Sequence, residues 1–215
     1  MTGVSVAGAG LLGTSLSTRP GSAQFYGLTL GVAATWIAGG LASGPLHLGR
    51  VQGRDGTLRR PVIIPVVIGA SAFATFYGCA LTARKIPVLN RAISNVLTYA
   101  DRGSGPFVLL TTLANGAAEE VFFRGAVYAA AGDRHPVIVS SAVYSLATIG
   151  TRNPALVLAS VVMGALFGLQ RRVTGGIQAP MLTHLTWSTL MLRFLPPLFA
   201  LPTDRADQCA PRTRH

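Results

Sequence analysis

We expect an all-α fold, a polytopic transmembrane bundle of about six helices, and three observations lead there. Uncharged apolar runs of near-spanning length recur along the chain, and about 20 such residues cross the hydrocarbon core of a bilayer. Charged residues make up only 12% of the 215 positions, against 50% hydrophobic, and the mean hydropathy is +0.48. Soluble domains carry about 25% charge, because a surface with less would be sticky in water. Finally, cations gather in the gaps between apolar runs, as Arg50, Arg54, Arg59 and Arg60 do, which is how loops beside membrane spans are built.

The net charge of +11 would suit a nucleic-acid binder. No zinc-finger spacing, RNP-like stretch or aromatic–basic interleaving accompanies it, so the expected partner is membrane lipid and not nucleic acid. The cysteines, Cys79 in an apolar run and Cys209 near the end, imply no disulfide framework. The first twenty residues lack a basic leader and a cleavage site, so no cleaved signal peptide is expected.

In chain order, an N-terminal segment 1–20 precedes a single transmembrane domain over 21–200, and a flexible tail follows over 201–215. The first two spans fall at 25–44 and 61–81, separated by a basic loop. A mixed stretch from Lys85 to Arg102 is expected to lie along the interface as a short amphipathic helix. Four further apolar segments follow at 107–131, 137–149, 154–169 and 177–199; the middle two are short for full spans, so tilt or partial burial is expected. Lys and Arg are shared about evenly between the two sets of loops, so the positive-inside rule gives no orientation.

Gly8, Gly10 and Gly13 spell G-x-G-x-x-G, a dinucleotide fingerprint only where it follows a strand and opens a helix. Here a very short apolar stretch precedes it and a membrane-like run follows. Close helix packing through small residues explains the spacing better.

Chemistry is concentrated in the run Ala117-Ala-Glu-Glu-Val-Phe-Phe-Arg-Gly125. A charge near the bilayer centre costs about 2.5–3.5 kcal/mol on insertion scales, so such residues persist where they pair, meet a wet cavity or react. Glu120 and Arg124 are four apart and share a helix face, which suits an ion pair. Glu119 points about 100° away on an α-helix and is left without a local partner. It must hold a proton, bind a cation or bond to another helix, which makes it a candidate general base or metal ligand. The plainer alternative is a structural ion-pair network. His184, with Ser188 on its face, stands in a later apolar helix, and Tyr144 and Thr148 share a face between the two. A single histidine among apolar residues is commonly a packing residue.

Taken together, these segments resemble the CAAX-protease and bacteriocin-processing family of intramembrane endopeptidases, over about 107–193. The family's E-E-x-x-x-R motif is matched by Glu119, Glu120 and Arg124. Its F-x-x-x-H motif aligns with Tyr144 through Thr148, and its H-x-x-x-N motif with His184 through Ser188, after Gly175-Gly-Ile-Gln-Ala-Pro180. The resemblance implies a metalloprotease-type membrane hydrolase in which Glu119 activates water, Glu120 and Arg124 support it, and His184 is a ligand or hydrogen-bond donor. It also implies a multi-pass protein, expected in a bacterial plasma membrane, acting on membrane-associated or lipidated peptide or protein substrates.

Two positions depart from the pattern: Thr148 stands where the family has histidine, and Ser188 where it has asparagine. Catalytic zinc usually takes three ligands from His, Glu, Asp and Cys. Only Glu119 and His184 remain for Zn2+, and His47 and His135 fall in loops at the membrane edge, so tight metal binding is not expected. Three functions stay open: an intramembrane endopeptidase, a catalytically impaired relative serving as a membrane binding or scaffold protein, and a small transporter or proton relay.

Overall fold

A computed structural model describes residues 1–53 and 55–199; the tail expected at 201–215, with Cys209, lies outside the described residues. Helix α1 (Thr2–Ser15) turns back into α2 (Ala23–Leu41), which Ser22 caps by accepting the amide of Phe25. A loop with a two-residue antiparallel ribbon, β1 (Val51–Gln52) with β2 (Leu58–Arg59), leads to α3 (Ile63–Ala83). Helix α4 (Pro87–Arg102) is amphipathic, and its Tyr99 hydroxyl reaches the carbonyls of Leu16 and Thr18 in the α1–α2 turn.

One continuous rod then changes character along its length. It is α-helical over α5 (Gly105–Glu119), π-helical over Glu120–Val127, and α-helical again over the short α6 (Tyr128–Ala130). Helices α7 (Pro136–Ile149), α8 (Pro154–Thr174) and α9 (Gln178–Phe194) follow, with a last turn, α10 (Pro196–Phe199). Asn153 caps α8 by accepting the amides of Ala155 and Leu156, and Gly175 ends it in the left-handed region at φ 70°, where glycine carries no Cβ penalty. Helix α7 packs chiefly on α8, α3 on α9, and α2 on both α1 and α5.

The molecule is polar within and apolar without. Ile63, Ile64 and Val67 on α3, Leu146 on α7, and Leu158, Val161 and Val173 on α8 are exposed, while Thr111, Glu120, Arg124, Ser140, Thr183 and His184 are buried. Water would penalise such an outer face and lipid does not. Helices α3 and α8 are each 21 residues, long and apolar enough to cross a membrane, whereas α7 has 14. A compact apolar core remains where α2 meets the π-helical stretch: Trp36 stacks on Phe122 at 4.8 Å, and Phe123 leads to the ring of Tyr144 at 5.0 Å.

Six of the helical rods coincide with the six apolar segments of the sequence. Helix α4 covers the stretch expected as an amphipathic helix up to Arg102, α1 is an addition, and the β1–β2 ribbon corrects the all-α expectation slightly. The segment expected to end at 169 continues to Thr174, because Arg171 and Arg172 lie in the last turn of α8, where cations suit the helix dipole.

The N-terminal glycines are packing positions. A Cβ on Gly8 would fall 2.2 Å from Trp36, and one on Gly13 2.3 Å from the carbonyl oxygen of Gly150, whereas Gly10 faces nothing within 4 Å. Trp36 is buried and stacked, so it has no room to retreat. We therefore expect Gly8→Ala to destabilise the protein in detergent by about 1–3 kcal/mol, as overpacking does. Gly10→Ala is expected to be neutral or stabilising by up to ~1 kcal/mol, from helix propensity. Unfolding titrations in mixed micelles distinguish the two.

Candidate active site

The site is built where the α-helical and π-helical parts of the long rod meet. On an α-helix, consecutive side chains diverge by about 100°, which would keep Glu119 and Glu120 from serving one group. A π-helical turn bonds i to i+5 and so takes in an extra residue. At this junction both carboxylates reach the same imidazole. Nδ1 of His184 lies 2.9 Å from Oε1 of Glu120, and Nε2 lies 3.9 Å from Oε2 of Glu119.

Glu120 is fully buried, and so is its ion partner Arg124, whose Nη1 donates to the same Oε1 at 3.2 Å. The guanidinium is held on every side. Nη2 donates to the carbonyl of Gly164 at 3.1 Å, and the rings of Tyr144 and Phe167 lie 4.7 and 5.1 Å from Cζ. Phe167 also stacks on the imidazole of His184, with ring centroids 4.7 Å apart. Two glycines let this assembly close. A Cβ on Gly164 would sit 3.4 Å from Tyr144 and 3.6 Å from Nη2 of Arg124; one on Gly116 would sit 3.6 Å from the His184 ring.

The proton of the imidazole follows from its neighbour. A carboxylate paired with Arg124 is ionised and only accepts, so His184 donates through Nδ1 to Glu120. In the neutral imidazole Nε2 then carries the lone pair, and it faces Glu119. A gap of 3.9 Å is too wide for a direct hydrogen bond but suits a water lying off the line between the two atoms. Glu119 is also the less buried carboxylate, with 14% of its side chain exposed, and the hydroxyl of Tyr144 lies beside it.

Thr148 and Ser188 stand apart from this chemistry. Thr148 is buried one turn beyond Tyr144, and its hydroxyl donates to the carbonyl of Tyr144 at 2.9 Å. Ser188 is buried one turn beyond His184 and makes no hydrogen bond among the described residues. Gly164, Phe167 and Arg171, whose Nε donates to the carbonyl of Arg124 at 2.9 Å, support the cluster without being foreseen from the sequence. The one hint was the Gly164, Gly168 spacing on α8, which places small residues on one face.

As a site for zinc, the arrangement falls short. Oε1 of Glu120 is engaged by both Arg124 and His184, and its Oε2 is enclosed in the core, which leaves Glu119 and Nε2 as the donors that a metal could share. Among the described residues no group of three His, Cys, Asp or Glu is placed to hold a metal. His47 lines a different cavity, near Arg171, and His135 sits in the turn before α7. Two protein donors are one fewer than catalytic zinc usually takes.

Ionisable groups gathered inside an apolar helical bundle define a class of proteins that place polar chemistry within a membrane-like interior. Residues 102–190 match the family model described as Rce1-like, type II CAAX prenyl endopeptidase Rce1-like. The resemblance read from the three motifs therefore holds across this stretch, which includes every residue of the cluster. No curated protein and no solved structure is significantly similar to the chain.

The energetics of the cluster can be measured. Arg124→Met strands a buried Glu120 charge, and we expect a loss of about 3–5 kcal/mol. Glu120→Gln combined with Arg124→Met should cost clearly less than the sum of the single changes. Strict additivity in a double-mutant cycle of unfolding free energies would contradict the ion pair.

Proposed function

We propose that the chain is a multi-pass intramembrane peptidase acting on membrane-associated or lipidated substrates, with Glu119 as the base that activates water. One observation carries this reading: a single imidazole spans two adjacent carboxylates, one locked in an ion pair and the other 3.9 Å from its far nitrogen, a separation that a water beside the two atoms can bridge. A water in that gap gives one hydrogen to Glu119 and one to Nε2 of His184, so its lone pairs face outward toward a carbonyl carbon. Glu119 takes the proton as the carbon–oxygen bond forms and later passes it to the departing amine. Glu120 and Arg124 act through His184, fixing its ring and its tautomer.

Depth supports the reading. Glu120 follows the whole of α5, Gly105–Glu119, and His184 lies roughly 9 Å from the first residue of α9, so the site sits away from the ends of both rods. Beside it runs a groove of about 320 Å³ between α5 and α9, lined by Leu113, Leu185, Thr186, Thr189 and Leu190. Leu185 and the ring of His184 both lie against Gly116 of α5, so an apolar chain seated in the groove would be held near the site. No metal takes part in this reading.

A second reading, a binding relative without turnover, is favoured by the hydroxyl of Thr148, which is turned back on its own helix. Cleavage of membrane-peptide libraries by the full chain in nanodiscs separates the two. We expect Glu119→Gln to lower turnover by about 10²–10⁴-fold, the usual contribution of a general base, and chelators to leave turnover unchanged. Equal rates for the parent and Glu119→Gln would overturn the mechanism. Metal uptake and activity gained only in Thr148→His with Ser188→Asn would favour the second reading.

A further inference from the structure

We infer that the hydroxyl of Tyr144 is the hydrogen donor for the oxyanion that forms when the scissile carbonyl is attacked. The inference rests on the peptidase reading and identifies the donor which that reading requires. A tetrahedral oxyanion in a dry site needs at least one aimed hydrogen. Arg124 has donors, but it is fully buried beneath Tyr144 and Phe167 and out of reach of a substrate. The imidazole proton of His184 is directed at Glu120, and Nε2 offers a lone pair. Thr148 gives its hydrogen to the carbonyl of Tyr144. Trp187 sets its ring edge-on against Phe76 of α3 and 6.1 Å from the ring of His184, but its buried indole N–H has no hydrogen-bond partner among the described residues, so nothing links it to the base.

Tyr144 differs from all of these. Its ring is clamped between Arg124 and Phe123, at 4.7 and 5.0 Å, and the missing side chain of Gly164 lets α8 approach its edge. The phenol is thus fixed while its hydrogen remains free to turn. In the resting protein that hydroxyl lies beside Glu119, the same group that receives the proton of the attacking water. Once Glu119 is protonated it becomes a weaker acceptor, and the new oxyanion is the stronger one. The hydroxyl then turns from one to the other at the moment of need. Water oxygen bonds to the carbonyl carbon, its proton rests on Glu119, the carbon–nitrogen bond breaks, and the proton leaves with the amine. Tyr144 ends the cycle with its hydrogen unchanged.

Tyr144→Phe in the full chain keeps the ring and its contacts, so its thermal unfolding should match the parent. Its kcat is expected to fall about 10²–10³-fold, the loss typical of one oxyanion donor, with KM nearly unchanged. Thr148→Val and Ser188→Ala should retain the parent's kcat. Replacing Tyr144 with the more acidic 3-fluorotyrosine should move the alkaline limb of the kcat profile to lower pH, a change that a merely structural ring would not produce. Parental kcat in Tyr144→Phe, loss in Ser188→Ala instead, or an unmoved profile with fluorotyrosine would each overturn the proposal. If these results come with an inactive Glu119→Gln, the peptidase reading survives. A parent that cleaves nothing overturns both.

Discussion

Burying an isolated carboxylate costs several kcal/mol even after a protein relaxes around it, and Glu120 is buried completely. The bundle offsets that cost by placing Arg124 one turn along the rod and His184 across the interface on α9, both on the same oxygen. This shared contact constrains the other parts of the site. It holds α9 against the long rod, sets which nitrogen of His184 carries the proton, and leaves the other nitrogen for Glu119. It also limits Gly116 and Gly164, where a Cβ would already be in contact with His184, Tyr144 and Arg124 and side chains larger than alanine would press on them.

From that constraint follows a division of labour between two neighbouring glutamates. Glu120 is held through one oxygen, Oε1, by Arg124 and His184 and serves structure, while its Oε2 is buried without a hydrogen-bond partner among the described residues. Glu119 has no cationic partner of its own and is left available for chemistry, with a hydroxyl on one side and an imidazole lone pair on the other. The change from α-helical to π-helical bonding at Glu120 lets consecutive residues divide the work yet address one ring. Single π-helical stretches inside α-helices often mark functional sites, and this one begins where the two carboxylates turn inward.

Much of this was legible in the residues. Uncharged runs located α2, α3, α7, α8 and α9, because a span must be apolar over its length. Glu120 and Arg124 at i and i+4 announced their ion pair. Long-range geometry was less accessible. Nothing in the run Glu119–Arg124 reveals a π-helical turn, so the sequence spacing separated Glu119 from Glu120 where the fold reunites them on His184. The bond between His184 and Glu120 joins residues 64 apart, and the seat of Arg124 on the Gly164 carbonyl joins residues 40 apart. Such contacts depend on how α8 and α9 lie against the rod. The helix α1 escaped notice because its glycines and short polar residues give no apolar signature, although they pack tightly on Trp36 and Gly150.

The tautomer of His184 reports the central contact directly. Nitrogen-15 NMR of the histidine-labelled chain in lipid, with the His184 resonances assigned by loss in His184→Gln, reads the state of each ring nitrogen. A proton on Nδ1 and a bare Nε2, altered on Glu120→Gln, is the result expected from a Glu120 that fixes the ring. A proton on Nε2 with a bare Nδ1, indifferent to Glu120, would contradict the account.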